Sequence, residues 1–261
     1  MLALATLAGP RPALAEDIGI GTVGLPVSMD PLFAIDTASL DYSQNVYEAL
    51  LTYDANLNVQ PLLAVSWEQV NDTSWEFRLR QGVRFHNGSE LRASDVVASL
   101  KRASKAIEGS SSPITHYFAD VKDIVATSDH SVRVIGEKPI PLFPYSMNWV
   151  AITPAAVAEM ASNDDFNSGK LALGTGPYKL VSFRPNDSLV LERNADYWGG
   201  AQPWGKVTFK LIQNPGARVA ALLAGDVDMI NAVPPQDIPR LQANENISLH
   251  QKVTDRLIYI L

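Results

Sequence analysis

The sequence contains no cysteine, so disulfides, thiolate metal sites and a cysteine nucleophile are excluded at the outset. Histidine is scarce: His86, His116, His130 and His250 are the full set, and they lie far apart, without the short spacings that metal ligands share. No run reaches the roughly 18 consecutive apolar residues of a membrane-spanning helix. Basic residues are outnumbered, 21 Lys and Arg against 28 Asp and Glu, for a net charge of −7. An acidic chain with no basic cluster argues against nucleic acid as the partner. Two hydrolase signatures are missing as well, the Gly-x-Ser-x-Gly elbow and the His-Glu-x-x-His helix.

What is present is an ordinary globular composition, 46% hydrophobic and 19% charged over 261 residues, which suits one domain or two closely packed subdomains. Residues 1–15 differ in kind. They run through an apolar stretch Leu2–Ala8, a Gly9-Pro10 break and Ala13-Leu14-Ala15 before Glu16, the order of a secretory signal peptide that lacks its basic start. Export to the periplasm as a soluble protein is therefore expected. Loss of that segment removes Arg11 and no acid, leaving 20 basic against 28 acidic residues and a net charge of −8.

Along the chain, Ile18–Val23 reads as a strand, and Met29-Asp30-Pro31 as a turn, since the residue before proline avoids the helical region. Asp36–Tyr42 is polar and reads as a loop, with Ser43 capping a helix that carries Val46, Tyr47, Leu50 and Leu51 on one face. Trp75, Phe77 and Leu79 alternate with charged residues, a half-buried strand that continues through Gly82 to Phe85 before an Asn87-Gly88 turn. Ser94 is placed to cap a helix through Ala103. The serine-rich Gly109–Pro113 breaks the pattern, Val121–Ala126 and Val132–Ile135 read as paired strands, and Thr153-Pro154 opens another helix. Tyr178–Phe183 and Leu189–Glu192 form a hairpin, followed by strand Val207–Ile212, helix Ala217–Leu223 ending at Gly225, and a buried strand Val227–Ile230 in parallel pairing. Val253–Leu261 is again strand-like. The pattern is α/β.

Three blocks carry a resemblance. The first is Ala64-Val65-Ser66-Trp67 with Trp75 to Gly88 and then Ala93 to Leu100; the second is Gly174-Thr175-Gly176-Pro177-Tyr178 with Leu191 to Gly200; the third is Arg218 and Ala220-Ala221-Leu222 leading into Gly225-Asp226-Val227-Asp228. Together, and in this order, they resemble the family-5 extracytoplasmic solute-binding proteins of ABC importers. The resemblance implies a periplasmic-binding-protein type II-like fold in which a ligand is enclosed between two lobes, with this chain holding the first lobe and the second lobe missing after residue 261. On that basis residues 16–48 and 170–261 would form the core subdomain of the lobe and residues 49–169 an inserted subdomain. It further implies capture of a small solute, a peptide foremost, by a monomer that delivers it to a membrane permease, with no cofactor, no metal and no membrane insertion.

The candidate ligand residues follow from the resemblance and from side-chain chemistry. Asp36, Thr37 and Ser39 offer a carboxylate and two hydroxyls where relatives place a ligand-facing segment; a solvated loop is the competing account. Met147, Asn148 and Trp149 offer adaptable apolar area and one orienting amide, with core packing as the alternative. Thr115 and Tyr117 form a third segment. Gly174-Thr175-Gly176-Pro177 lacks the Walker lysine and reads as a backbone reversal rather than a phosphate loop, Asn194 to Gly200 as a turn packed by two aromatics, and His86 as part of a hairpin turn. The acid pairs Asp164-Asp165 and Asp226/Asp228 give no flanking geometry for general acid and base. No catalytic residue is assigned. The rival functions are an exported hydrolase acting on peptides or sugars and a solute sensor or chaperone on the same fold.

Overall fold

The computed structural model describes residues 17–33, 37–105 and 113–250. The expected signal segment 1–15, most of the serine-rich break Gly109–Pro113, the C-terminal strand Val253–Leu261 and Asp36 lie outside them.

The chain opens with β1 (Ile18–Thr22), then a 3₁₀ turn at Pro31–Phe33 closed by Phe33 N–H donating to the Asp30 carbonyl at 2.9 Å. Helix α1 (Thr37–Val46) follows. This corrects the expected loop over Asp36–Tyr42: residues 37–42 are helical, Ser43 is interior rather than a cap, and Leu50 and Leu51 lie beyond the helix. The polar residues are tolerated because the helix places Tyr42 and Ser39 against the sheet, where Tyr42 Oη is 2.8 Å from Thr22 Oγ1 and donates to the Gly24 carbonyl at 2.7 Å.

A short hairpin of β2 (Leu51–Tyr53) and β3 (Val59–Pro61) leads into β4 (Ala64–Asn71) and β5 (Ser74–Leu79). The alternation read from Trp75, Phe77 and Leu79 holds, but the strand stops at Leu79: Gly82 takes φ +76, and Val83 to Phe85 belongs to the Asn87-Gly88 turn, bridged at Arg84 and Glu90. Glu76, on the face expected to be wet, is buried and bonded to Arg133 at 2.7 Å and to Thr127. Helix α2 (Ala93–Ala103) starts one residue before Ser94; Arg92 caps it, its N–H donating to Asp95 Oδ2 at 2.9 Å. Strands β6 (Val121–Ser128) and β7 (Ser131–Gly136) then complete an antiparallel sheet in the order β4-β5-β7-β6. Phe77, Leu63, Val96, Leu100 and Val132 are completely buried in its core.

Helices α3 (Ala155–Met160) and α4 (Asn163–Asn167) precede the expected hairpin, β8 (Tyr178–Arg184) with β9 (Ser188–Arg193). β10 (Lys206–Leu211), α5 (Pro215–Ala224) and β11 (Met229–Ile230) give the expected strand, helix, strand unit, with Gly225 left-handed at the helix end. A short α6 (Ile238–Gln242) follows. β1 lies between β10 and β11 and is parallel to both, in a sheet ordered β11-β1-β10-β9-β8. β11 is thus an edge strand, and Met229 is exposed rather than buried as expected; the apolar anchor of the segment is Val227. Arg218, itself buried, donates to the carbonyls of Ile212 (2.7 Å), Asn231 (3.0 Å) and Ala232 (2.8 Å), tying the exits of β10 and β11 together.

A second apolar cluster packs against this sheet and includes Met29, Tyr42, Val46, Tyr47, Val157, Phe166 and Leu189. Between the two clusters runs a bidentate ion pair: the Arg102 guanidinium on α2 meets the buried Asp30 carboxylate at 2.6 and 2.9 Å and covers the Phe166 ring at 5.0 Å. Such a pair is costly to break from one side, because the surviving charge stays buried.

Candidate functional site

Leu40, Ser43 and Gln44 of helix α1, spaced by three and four, fall on one face, and Tyr47 follows just past the helix end. That face forms one wall of a cleft of about 220 Å³ whose other lining residues include Pro31, Leu51, Leu62, Asn148, Trp149 and Tyr197. The walls are predominantly apolar with a few polar groups converging, the usual make-up of a small-molecule site.

At the floor sits Glu48, 5% exposed. Its Oε1 accepts from Tyr197 Oη at 2.8 Å, and its Oε2 accepts from Thr175 Oγ1 at 2.7 Å and from Trp198 Nε1 at 2.7 Å. Burial pushes the carboxyl above the ordinary range, opposed by these three donors and by the Arg80 guanidinium, which lies 4.4 Å from the Trp198 ring centre. The same burial, with the carboxylate alongside, holds the Tyr197 phenol well up. The donors come from 127 to 150 residues further along the chain. No local pattern announces them; the visible signal is a lone acid inside the apolar run Val46 to Leu51.

Gly174 and Gly176 prove to be needed for approach, not for reversal. Neither has positive φ, and a Cβ on Gly174 would lie 1.9 Å from the Val46 carbonyl oxygen, one on Gly176 2.6 Å from that of Asn45. They let the Thr175 loop close on the end of α1. His86 locks the same loop: its backbone N–H donates to the Gly174 carbonyl at 2.9 Å, Gly174 N–H donates to Nδ1 at 3.3 Å, and Nε2 stands 3.0 Å from the Gly176 carbonyl. The proton therefore sits on Nε2, and burial, with the Lys179 ammonium adding to it, lowers the imidazole to about 4. His86 is thus structural.

Of the expected ligand residues, the structure brings Asn148 and Trp149 into the cleft. Asn148 Oδ1 is buried with no hydrogen-bond partner among the described residues, and Trp149 is 37% exposed. Met147, the third member of that run, is corrected: it is completely buried in the first apolar cluster, so core packing is its role. The chain leaves a 3₁₀ turn (Phe143–Ser146) there, which points consecutive residues in different directions. Ser39 is buried on α1, and Asp36 and the Thr37 side chain lie outside the described residues. Thr115 and Tyr117 are not among the lining residues. Tyr117 is exposed beside Tyr53, whose hydroxyl donates to the Tyr145 carbonyl at 2.8 Å. One acid of each expected pair has a structural role: Asp165 bonds back to Ser162 at the start of α4, its carboxyl lowered chiefly by the Ser162 N–H, and Asp228 accepts from Gly19 N–H at 2.7 Å. Among the described residues no cluster of His, Asp and Glu could hold a metal ion, and no helix is long and apolar enough to cross a membrane.

Comparison with known proteins gives a consistent picture. A family model described as bacterial extracellular solute-binding proteins, family 5, middle part, matches residues 58–261. The oligopeptide-binding protein AppA of Bacillus subtilis (strain 168) is 28% identical over 262 residues, covering 96% of this chain and 47% of AppA. The probable D,D-dipeptide-binding periplasmic protein DdpA of Escherichia coli (strain K12) is 28% identical over 253 residues, 92% of this chain and 48% of DdpA. The structure of Bacillus subtilis AppA in complex with a nonapeptide superposes with a TM-score of 0.77 at 27% identity, over 88% of this chain and 46% of that one. The mixed α/β architecture is thus that of a periplasmic binding protein of type II. The chain spans about half the length of the curated relatives it matches, and both are named as binding proteins.

Proposed function

Since the chain belongs to the family-5 bacterial extracellular solute-binding proteins, we propose that it forms the first lobe of a receptor that captures a peptide and delivers it to the membrane permease of an ABC importer. Residues 16–48 and 170–261 make the core of that lobe and residues 49–169 its inserted part, with the second lobe contributed by sequence beyond residue 261. The receptor works outside the cytoplasm as a soluble monomer. The observation that carries the reading is the cleft itself: apolar walls, one exposed tryptophan, and an Asn148 Oδ1 with no hydrogen-bond partner among the described residues.

Ligand bridging both lobes stabilises the closed form over the open one by its differential affinity, and the permease reads that closed form. Catalysis is not part of the account. A hydrolase needs an acid or imidazole free to move a proton at a reacting atom, whereas Glu48, Asp165, Asp228 and His86 are each held by structural hydrogen bonds. Asn148 and Trp149 are the ligand contacts best supported, with Asp36, Thr37, Thr115 and Tyr117 as further candidates.

A thermal-shift and calorimetric screen of the full-length protein against di- to oligopeptides, nickel chelates and opines tests this. Peptides are expected to raise the melting temperature; binding confined to chelates or opines, or to no class, would overturn it.

A further inference from the structure

Resting on the peptide-capture reading, we propose that the cleft between α1 and Trp149 is a side-chain subsite for one uncharged, apolar ligand residue, up to an aromatic ring in size. The Asn148 carboxamide pairs with the ligand main chain beside it.

Size sets the first limit. A dry cavity of about 150 Å³ holds a benzene molecule, and this cleft of about 220 Å³ accommodates a phenylalanine or leucine side chain. Pro31, Leu40, Leu51, Leu62 and Trp149 supply the apolar contact.

Charge sets the second. Glu48 is the one carboxylate among the described lining residues, and by itself it would mark a site for a lysine side chain or a ligand ammonium. The geometry opposes that assignment. Of the roughly four acceptor positions on a carboxylate, three are taken by Tyr197, Thr175 and Trp198 at 2.7 to 2.8 Å, on a residue that is 5% exposed. Arg80, 4.4 Å from the Trp198 ring centre, adds a further favourable charge for it. An ammonium entering the cleft would shed its water and find at most one acceptor at the floor, which disfavours it strongly. A ligand carboxylate would find no cation among the described lining residues to pair with. Glu48 therefore holds the cleft together and leaves it selective for neutral groups.

Asn148 supplies the orientation. Its buried Oδ1 has no partner among the described residues, and buried polar groups in native proteins are almost always paired. A carboxamide offers one acceptor and two donors, the complement of a peptide unit, which presents one N–H and one carbonyl.

The test uses the full-length protein and a tetra-alanine peptide in which each position in turn carries Leu, Phe, Lys or Glu, with binding read by calorimetry. At one position Leu and Phe bind at least about tenfold more tightly than Lys or Glu. N-methylation of the peptide unit next to that position weakens binding about tenfold to the native protein and not at all to Asn148→Ala. Leu62→Trp, which fills the cleft, shifts the preference at that position to Ala. A preference for Lys, equal affinity for all four residues at every position, or an N-methyl effect undiminished in Asn148→Ala would each overturn the subsite. Failure of every peptide to bind would instead overturn the peptide reading on which it rests.

Discussion

His86 gives the sharpest thermodynamic prediction. Its imidazole is lowered to about 4 in the folded protein by burial, with Gly174 N–H aimed at Nδ1, the nitrogen a second proton would need. In the unfolded chain it titrates near 6.5. Between these values the unfolded state binds a proton that the folded state refuses, so stability rises with pH and is lost as pH falls from about 6.5 toward 4. Integrated from pH 7 to pH 4, this one group accounts for about 3 kcal/mol. The assay is urea unfolding of the native protein and of His86→Asn at pH 7, 6, 5 and 4. His86→Asn is less stable at pH 7, because the bonds to Gly174 and Gly176 are altered, and the gap closes by about 3 kcal/mol at pH 4. A gap that stays constant with pH would refute the reasoning, as would an imidazole proton resonance titrating near 6.5.

Three further outcomes follow from the packing. Gly174→Ala drives a methyl group to within 1.9 Å of the Val46 carbonyl, and the backbone shift it forces should cost about 2 kcal/mol or more in a urea midpoint. Asp30→Ala strands Arg102 beside Phe166 and should cost about 3 to 5 kcal/mol, more than Arg102 and Asp30 replaced together by apolar residues. Met147→Ala should lower stability by about 2 to 5 kcal/mol in thermal unfolding while the relative affinities for a peptide series stay unchanged, since Met147 is wholly buried.

Much of the fold was readable along the chain because its signals are local. The alternation in β5, the paired strands β6 and β7, the β8–β9 hairpin and the strand, helix, strand unit ending at Gly225 each depend on neighbours within a few residues. The start of α1 is not legible as a helix because its polar residues serve tertiary contacts: Tyr42 reaches Thr22 and Gly24, and Ser43 and Gln44 line the cleft. The site was legible in part. Asn148 and Trp149 reach the cleft while Met147 turns into the core, a choice made by a 3₁₀ turn that carries no apolar periodicity. Glu48 went unrecognised for a different reason. The groups that make its burial tolerable, Thr175, Tyr197 and Trp198, are brought to it only by the folded chain.

The central claim is that a peptide is held in the cleft beneath Trp149. Calorimetric titration of the full-length protein and of Trp149→Ala with the same panel of di- to nonapeptides tests it most directly. The account predicts at least one peptide bound with a Kd of about a micromolar or tighter, weakened about tenfold or more in Trp149→Ala, with the unfolding midpoint of the variant unchanged. Peptide binding of equal affinity in the two proteins would contradict it.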